Sequence, residues 1–366
     1  MKILISGGGT AGHINPALSI ADYAKKHVDA QILFIGTEKG LEKNLVERAG
    51  YDIKYIEVAG LIRKITPKNI SVLAKYIKAI SKCKKIIKEF KPDVCVGTGG
   101  YVCAPVLAAA SALGIPTIIH EQNVIPGVTV KMAAKKADCI AISFDDTVNY
   151  MKESLRAKCE LTGNPLDDKM LLVDREEARK KLGIENKPFI VMIGGSLGAE
   201  RLNEAMIEFI NTCDKESLYF MSAAGKRYYD KVMDKIDKEN LGENIKILPY
   251  IYNREEIYPA ADLIISRAGA LSVSEICALG KACVLIPSPN VAHNHQEFNA
   301  KSVEKGGGGK VILESELTAE LFKKTVEEIA FDEEKRRQMG NCAKKMGITD
   351  ASKRIFDIIT RLVDKK

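Results

Sequence analysis

A glycine-rich turn joins a short apolar run to a helical stretch twice in this sequence, once near the start of each half. The two turns are Gly7–Gly12 and Gly194–Ala199. Glycine tolerates positive φ and lets a ligand approach the backbone closely. The unpaired N–H groups at the start of a helix attract anions. Because a strand, a glycine turn and a helix in this order are typical of nucleotide-binding domains, the repeat predicts two doubly wound α/β domains.

Short apolar runs alternate with helical stretches along the rest of the chain. In the first half these runs are Ile3–Ser6, Gln31–Ile35, Val94–Gly97, Thr117–His120 and Cys139–Ile142. In the second half they are Phe189–Ile193, Leu218–Ser222, Ile245–Leu248, Leu263–Ser266, Ala282–Ile286 and Lys310–Leu313. The intervening helical stretches include Pro16–Lys26, Ile70–Phe90 and Tyr101–Leu113. Such alternation predicts mostly parallel sheets covered by helices, with ligands bound beyond the carboxyl ends of the strands.

The chain has 366 residues, which is more than one ordinary core holds. The alternating pattern is interrupted at Gly163–Pro165, so we expect one domain at residues 1–164 and a second at residues 165–348. The tail, helical from Glu333 onwards, has an apolar stripe that includes Ile355 and Ile359. A helix at about residues 349–366 is therefore expected to return and pack on the first domain.

The first turn also fits the dinucleotide fingerprint, with glycines at positions 7, 9 and 12. A nicotinamide site needs a ribose-binding acid near the end of the second strand. That strand ends in Gly36 and Thr37, with Glu38 beyond, so the dehydrogenase alternative is disfavoured. His13 directly follows the turn, where a titratable imidazole could reach a bound substrate.

Metal and disulfide chemistry are not indicated by the nine cysteines, which lack both C-x-x-C pairs and histidines at ligand spacing. The pairs Asp145-Asp146 and Asp167-Asp168 are interpreted as turn and capping acids. We therefore expect no metal and no cofactor. The first strand begins at once, and no apolar stretch reaches the roughly 18–20 residues of a membrane span. A location on the cytoplasmic side is expected.

A strongly basic segment, Leu61–Lys91, contains ten lysines and arginines against the single acid Glu89. No RNA- or DNA-binding motif appears in this segment, which disfavours nucleic acid as the partner. Two alternatives remain, a solvated helix face or a surface that rests on anionic lipid. The lysines on one face are Lys75, Lys78, Lys82 and Lys85. The expected apolar stripe on another face is Ile70, Leu73, Ile77, Ile80, Ile87 and Phe90.

Several further loop motifs complete a pattern that runs through both halves. They are Gly99–Tyr101, His120–Asn123, Gly163–Pro165, Ala270–Glu275 and Asn294–Ala300, together with the two glycine turns and His13. In this order the motifs resemble the MurG family of bacterial glycosyltransferases, over nearly the whole chain. That family transfers N-acetylglucosamine from UDP-N-acetylglucosamine to lipid I and forms lipid II for peptidoglycan. The resemblance implies a GT-B fold, in which two Rossmann-like domains face a central cleft.

The resemblance also implies roles for individual residues. The expected donor and sugar contacts are Thr10, Ala11, Gly12, Asn123, Ser196, Ile251, Ala270, Leu271, Ser272, Val273, Ser274, Glu275 and Gln296. Among them, Ser196 is expected at the diphosphate, Ile251 at the uracil through its backbone, and Gln296 at the sugar hydroxyls. A carboxylate such as Glu275 suits the ribose diol because it accepts two hydrogen bonds.

The acceptor hydroxyl must lose its proton as it attacks, and His13 is the leading candidate for this general base. His120 and Glu121 are the competing bases. A single displacement without a covalent intermediate inverts the anomeric centre. The resemblance further implies lipid I as acceptor, an anionic membrane surface bound through Leu61–Lys91, and other cell-wall synthesis proteins as partners.

Three positions depart from the family pattern. Ala11 replaces a frequent glycine, Leu197 a frequent glutamine, and Asp167 a usual arginine, so no positive donor contact is carried over to position 167. Two alternatives stay open. One is a UDP-N-acetylglucosamine 2-epimerase, which has the same fold and donor, and the other is a nucleotide-sugar-binding protein without turnover.

Overall fold

The computed structural model describes residues 1–58, 68–195, 198–238 and 241–365, with backbone alone at 68–73 and at 168. Contacts divide the chain into two units, Met1–Leu166 with Asp350–Lys366, and Asp167–Thr349. Each unit is an α/β assembly around one parallel sheet. The Leu61–Ile65 part of the basic segment, together with Ser196 and Leu197, lies outside the described residues.

The first unit contains a sheet in the order β3-β2-β1-β4-β5-β6-β7. Its strands are β1 Lys2–Gly7, β2 Gln31–Gly36, β3 Asp52–Tyr55, β4 Val94–Gly99, β5 Thr117–Glu121, β6 Cys139–Ile142 and β7 Cys159–Leu161. Its helices are α1 Ala11–Val28, α2 Leu41–Arg48, α3 Lys68–Phe90, α4 Cys103–Ala112, α5 Val128–Ala133, α6 Glu153–Arg156 and, from the tail, α15 Ala351–Asp364. A 3-10 helix spans Asp145–Tyr150.

The second unit contains a sheet in the order β10-β9-β8-β11-β12-β13. Its strands are β8 Phe189–Ile193, β9 Tyr219–Ala223, β10 Ile245–Leu248, β11 Leu263–Ser266, β12 Ala282–Leu285 and β13 Gly309–Val311. Its helices are α7 Arg175–Leu182, α8 Glu200–Thr212, α9 Tyr229–Lys235, α10 Arg254–Ala260, α11 Ala270–Leu279, α12 His295–Lys305, α13 Ala319–Ala330 and α14 Glu333–Met346. Short 3-10 helices span Asp168–Leu172, Lys215–Ser217 and Ala292–Asn294.

Alternation of side chains along the central strands divides the core of the first unit into two layers. Leu4 of β1 faces a layer built with α3 and α4. Ile3 and Ile5 face the opposite layer, built with α1 and α15. Because both faces of the sheet are covered, these strands are continuous apolar runs, and the predicted α/β class is confirmed.

Some helix predictions need correction. Ile77 was expected on the buried stripe of α3, but its side chain is 60% exposed. The tail, expected to be helical from Glu333 onwards, forms two helices, because the chain leaves helical geometry at Gly347 after α14 and restarts at α15. A Cβ atom at Gly347 would lie 2.6 Å from the backbone carbonyl carbon of Cys277, so this close approach requires glycine.

The order of strands reverses direction between β1 and β4 in the first sheet, and between β8 and β11 in the second. Loops that follow these strands diverge and leave room for a ligand at the carboxyl edge of the sheet. Gly8–Thr10 and Gly100–Val102 follow β1 and β4, while Gly194 and Arg267–Gly269 follow β8 and β11. The two glycine turns identified in the sequence therefore lie at the reversal points of their sheets.

Candidate active site

The first glycine turn is closed by contacts that use two of its own N–H groups. The Gly8 N–H donates to the Gly99 carbonyl at 3.2 Å. The Gly9 N–H donates to Glu42 Oε2 at 3.0 Å. The sequence predicted an anion site built from the free N–H groups of this turn. At Gly8 and Gly9 this prediction is wrong, because their N–H groups already donate to the Gly99 carbonyl and to the Glu42 carboxylate.

Glu42 was missed by the sequence analysis. It lies on α2, its side chain is 1% exposed, and its other oxygen accepts from the N–H and the hydroxyl of Thr37 at 2.9 and 2.6 Å. Burial raises the pKa of Glu42, but the Thr37 hydroxyl and the N–H groups of Gly9 and Thr37 outweigh it, so the pKa lies below 4.5. An ionised carboxylate under the turn repels a pyrophosphate. This geometry argues against the dehydrogenase alternative.

His13 lies in the first turn of α1, half-buried, with its Nδ1 2.9 Å from the Gly8 carbonyl oxygen. A carbonyl can only accept, so Nδ1 carries the hydrogen of this bond, and in the neutral ring the lone pair is on Nε2. The Thr10 hydroxyl is 3.3 Å from the same Nδ1. Thr10 and Ala11 are exposed at the start of the helix. The sequence-predicted residues Thr10–His13 therefore form one continuous surface.

The loop after β4 packs directly on this turn. Thr98 Oγ1 donates to the His13 carbonyl at 2.7 Å. A Cβ atom at Gly99 would lie 2.7 Å from His13 Cδ2, and one at Gly100 would overlap the Gly8 carbonyl. Gly100 also has φ of +79°, so both space and backbone conformation require glycine there. The imidazole is thus held between two loops.

His120, a competing base, is fully buried at the end of β5. Its Nε2 donates to the Gly163 carbonyl at 3.0 Å, and its Nδ1 accepts from the Gln122 amide at 2.9 Å. Burial lowers the pKa of His120 to about 4, with His13 acting in the same direction. Asn164 extends this network, donating to the Gln122 carbonyl at 3.1 Å. His120 and the Gly163-Asn164 motif therefore connect the loop after β5 to the loop after β7 by hydrogen bonds.

Glu121 is the second competing base, and it is also buried. It accepts from the Asn123 N–H and the Gly127 N–H, both at 2.8 Å, and from the Asn123 amide at 3.2 Å. Burial raises the pKa of Glu121, and these N–H groups offset the rise only in part. Asn123 itself is half-buried. The carboxylate orients Asn123, which the sequence predicted at the sugar.

In the second unit, the N-terminus of α11 follows directly on β11 through Gly269. Ala270, Leu271 and Ser272 occupy the first turn, whose N–H groups have no partner within the helix. Val273 differs from the other predicted contacts. Its N–H donates to the Gly269 carbonyl at 2.9 Å and its side chain is 1% exposed.

Glu275 lies one turn further along α11 and is paired with Arg254. Its Oε2 accepts from Arg254 Nη1 at 2.9 Å. Burial raises the pKa of Glu275, while Arg254 opposes the rise. Ile251 lies in the loop before α10, with its side chain 2% exposed, so that its backbone is the part offered to a ligand.

Arg267 ties the loop that carries α11 to its neighbours. It donates to the carbonyls of Ile286 and Pro287 at 3.0 and 3.2 Å, and it pairs with Glu314. The sequence left open whether this arginine adds positive charge to the site or holds its own loop, and these contacts assign it to holding the loop.

Gln296 lies in the first turn of α12, and its Oε1 accepts from the Ser288 N–H at 2.9 Å. His293 and Asn294 precede the helix with φ of +56° and +52°. Residues other than glycine adopt this conformation uncommonly, and His and Asn are among the types that tolerate it. Gln296 therefore lies at the start of a helix that follows a loop of defined shape.

Among the described residues, no three His, Cys, Asp or Glu side chains are grouped as metal ligands require. In the same residues, no helix combines the length and the apolar character needed to cross a bilayer. Of the two acid pairs, Asp167 accepts from the Lys169 N–H at 3.0 Å as a capping residue, and Asp145 begins a 3-10 helix.

Comparison with known proteins matches both halves of the chain to one family. Residues 3–142 match the glycosyltransferase family 28 N-terminal domain, and residues 189–355 match its C-terminal domain. The UDP-N-acetylglucosamine--N-acetylmuramyl-(pentapeptide) pyrophosphoryl-undecaprenol N-acetylglucosamine transferase of Acetivibrio thermocellus is 47% identical over 100% of this chain and 99% of its own length. The chain belongs to the MurG family of glycosyltransferases.

A solved MurG structure from Acinetobacter baumannii matches this MurG-family chain with a TM-score of 0.81 and 27% identity, covering 98% of this chain and 99% of that one. The predicted GT-B fold is thereby confirmed. The UDP-GlcNAc 2-epimerase from Neisseria meningitidis, solved with UDP-GlcNAc bound, has a TM-score of 0.70 at 14% identity, covering 99% and 100%. At that identity the epimerase shares the fold, and its activity does not follow for this MurG-family member.

Proposed function

We propose that this chain transfers N-acetylglucosamine from UDP-N-acetylglucosamine to the MurNAc unit of lipid I, undecaprenyl-pyrophosphoryl-MurNAc-pentapeptide, and forms lipid II for peptidoglycan. The observation that carries this proposal is 47% identity over the full length of a transferase named for that reaction. The loops at both sheet reversals supply groups suited to it.

The donor nucleotide is assigned to the second unit. The first-turn N–H groups at Ala270–Ser272 stabilise the departing diphosphate without a metal. The Glu275 oxygen that does not bind Arg254 accepts from the ribose diol, and the Ile251 backbone contacts the uracil. Gln296 binds sugar hydroxyls with its NH₂ group, since its Oε1 already accepts from Ser288. Ser196, outside the described residues, is assigned to the diphosphate by family resemblance.

The acceptor hydroxyl loses its proton to His13. Nε2 carries the lone pair of the neutral ring because Nδ1 donates to the Gly8 carbonyl. His120 and Glu121 are buried and hydrogen-bonded within their loops, which favours His13 over both competing bases. Thr10–Gly12 and Asn123 are assigned to the sugar by family resemblance. One displacement converts the α-linked donor into a β-linked product.

The acceptor is a lipid, so the first unit must reach a membrane surface. On α3, Lys75, Lys78, Lys82 and Lys85 are exposed, and Ile77 is exposed among them. Basic side chains attract anionic headgroups, and an exposed apolar residue among them inserts below the headgroups. These features support peripheral binding to the cytoplasmic leaflet through the Leu61–Lys91 segment. Contacts with other cell-wall synthesis proteins are a further proposal that rests on the family alone.

Release of UDP on addition of acceptor tests the proposed function. The purified chain is incubated with UDP-N-acetylglucosamine, with and without a short-chain lipid I analogue. The expected result is UDP release that depends on the analogue. Conversion of the donor alone to its 2-epimer would support the epimerase alternative, and tight UDP binding without any turnover would support a binding protein.

A further inference from the structure

Glu42 is a buried acid that the proposed mechanism does not use. Three glycines close around its side chain. A Cβ atom at Gly8 would lie 2.8 Å from the carboxyl carbon, one at Gly36 would lie 2.6 Å from Cγ, and one at Gly40 would overlap the carboxylate. The carboxylate is thus fitted under the turn that precedes His13, with hydrogen bonds from Thr37 and Gly9 to its two oxygens.

One peptide group joins this carboxylate to the imidazole. The Gly8–Gly9 peptide donates its N–H to Glu42 Oε2 at 3.0 Å, and its carbonyl accepts from His13 Nδ1 at 2.9 Å. Hydrogen bonds in such a chain polarise one another. An anion at the N–H end therefore makes the carbonyl oxygen a stronger acceptor for Nδ1–H. In serine hydrolases a carboxylate binds Nδ1 directly and stabilises the imidazolium.

We propose that Glu42 is a positioning residue for His13, acting through the Gly8–Gly9 peptide. It fixes the Nδ1–H tautomer of the neutral ring, and it stabilises the imidazolium that forms when Nε2 takes the acceptor proton. This inference rests on the proposed function, because it needs His13 to act as the base.

Other titratable groups face the same assembly from neighbouring elements. His120 on β5 interacts electrostatically with His13. Burial lowers the pKa of His120 to about 4, so the His120 ring is neutral near pH 7. Tyr101, in the loop after β4, lies on the Gly9 side of the turn, where a Cβ atom at Gly9 would be 3.8 Å from its ring. The Glu42 carboxylate accepts a hydrogen bond directly from this peptide, so a variant without its charge tests the inference.

The test is Glu42→Gln, which keeps the size of the side chain and removes its charge. The expected result is a fall in kcat of about 10-fold, with KM for UDP-N-acetylglucosamine changed less than about twofold. The acid limb of the kcat profile moves to lower pH, because the imidazolium is less stabilised. Glu38→Gln, in the loop that precedes α2 and exposed, is the matched control and is expected to leave kcat unchanged.

A double-mutant cycle separates positioning from general structural support. If Glu42 acts through His13, then Glu42→Gln adds less than about twofold in a His13→Ala background. An equal 10-fold loss in that background, or unchanged kcat in the single variant, would overturn the inference. Should Glu42→Gln fail to fold, Thr37→Val removes one hydrogen bond from the same carboxylate, and its smaller loss must likewise vanish in the His13→Ala background.

A readout without activity uses ¹⁵N NMR of the histidine ring nitrogens. The wild type is expected to show the Nδ1–H tautomer for His13, and Glu42→Gln is expected to lower the midpoint of its titration. The Nε2–H tautomer in the wild type would overturn the inference. Failure of the proposed function appears differently, as a wild type that folds and shows this tautomer but transfers no sugar.

Discussion

Substituting His13 tests the base assignment, and the structure separates its two ring nitrogens. His13→Asn keeps a donor near the Nδ1 position for the Gly8 carbonyl and removes Nε2 altogether. Loss of a general base lowers kcat by about 10²- to 10⁴-fold, which corresponds to about 2.7–5.4 kcal/mol of transition-state stabilisation. The hydrogen bond at Nδ1 contributes only about 1 kcal/mol to stability. The variant is therefore expected to fold and to lose at least about 100-fold in kcat.

The assay is UDP release at saturating donor and lipid I analogue, with UDP affinity measured by calorimetry on the same preparation. UDP affinity is expected to stay unchanged, since the donor nucleotide is assigned to the second unit. His27→Asn is the matched control, because His27 lies near the far end of α1 and its Nδ1 also contacts a backbone carbonyl, that of Tyr23. A kcat of His13→Asn within about threefold of wild type would refute the general-base role.

Three further predictions concern the donor site, the membrane surface and stability. Glu275→Gln is expected to weaken UDP binding about 10-fold, through loss of a charge-assisted hydrogen bond to the ribose; an unchanged Kd by calorimetry would remove Glu275 from that role. Replacing Lys75, Lys78, Lys82 and Lys85 of α3 by glutamate should weaken binding to anionic vesicles more than about 100-fold, whereas the same change at Lys226, Lys231, Lys235 and Lys238 should not; equal binding of both variants would contradict the membrane proposal. Burial opposes ionisation of Asp262, but the Phe189 N–H, Arg175 and Arg179 hold its pKa below 3.8. Its stabilising contribution is therefore lost as pH falls through that range. The unfolding free energy in urea should drop less between about pH 5 and 3 for Asp262→Asn than for wild type, and parallel curves would contradict this.

Most strands that the sequence predicted have both faces covered, and the exceptions are the edge strands β10 and β13, in which Lys246 and Lys310 are exposed. Continuous apolar runs such as β5 and β11 have no solvent-facing positions to interrupt them. The edge strands β3 and β7 were missed, because Asp52–Tyr55 alternates exposed and half-buried residues and Cys159–Leu161 has only three. An edge strand pairs with one neighbour, so fewer of its side chains need to be apolar.

The candidate site could be located from the sequence, but its hydrogen bonds could not. Glycine turns and polar loops mark the carboxyl ends of strands, which is why His13 and Ala270–Glu275 fall at the sheet reversals. The contact of Glu42 with Gly9 joins loops 33 residues apart and depends on how β1 and β2 pair. The signal available in the sequence was the pair Gly36 and Gly40 in the loop before Glu42, where small residues leave room for a buried side chain.

Exposure on α3 shows a second limit of pattern reasoning. An apolar residue at helical spacing is normally assigned to the core, and Ile77 was assigned there. The structure instead exposes it among lysines. Helical periodicity does not distinguish an apolar residue that packs on a sheet from an exposed one that is free to contact lipid.

The product of the reaction tests the central claim most directly. The chain is incubated with UDP-N-acetylglucosamine and a short-chain lipid I analogue, and the product is analysed by mass spectrometry and by the ¹H coupling between H1 and H2 of the transferred sugar. The account predicts an analogue heavier by one N-acetylhexosamine residue, joined through a β linkage. An α linkage would contradict the single displacement, and a recovered analogue of unchanged mass would contradict the transfer itself.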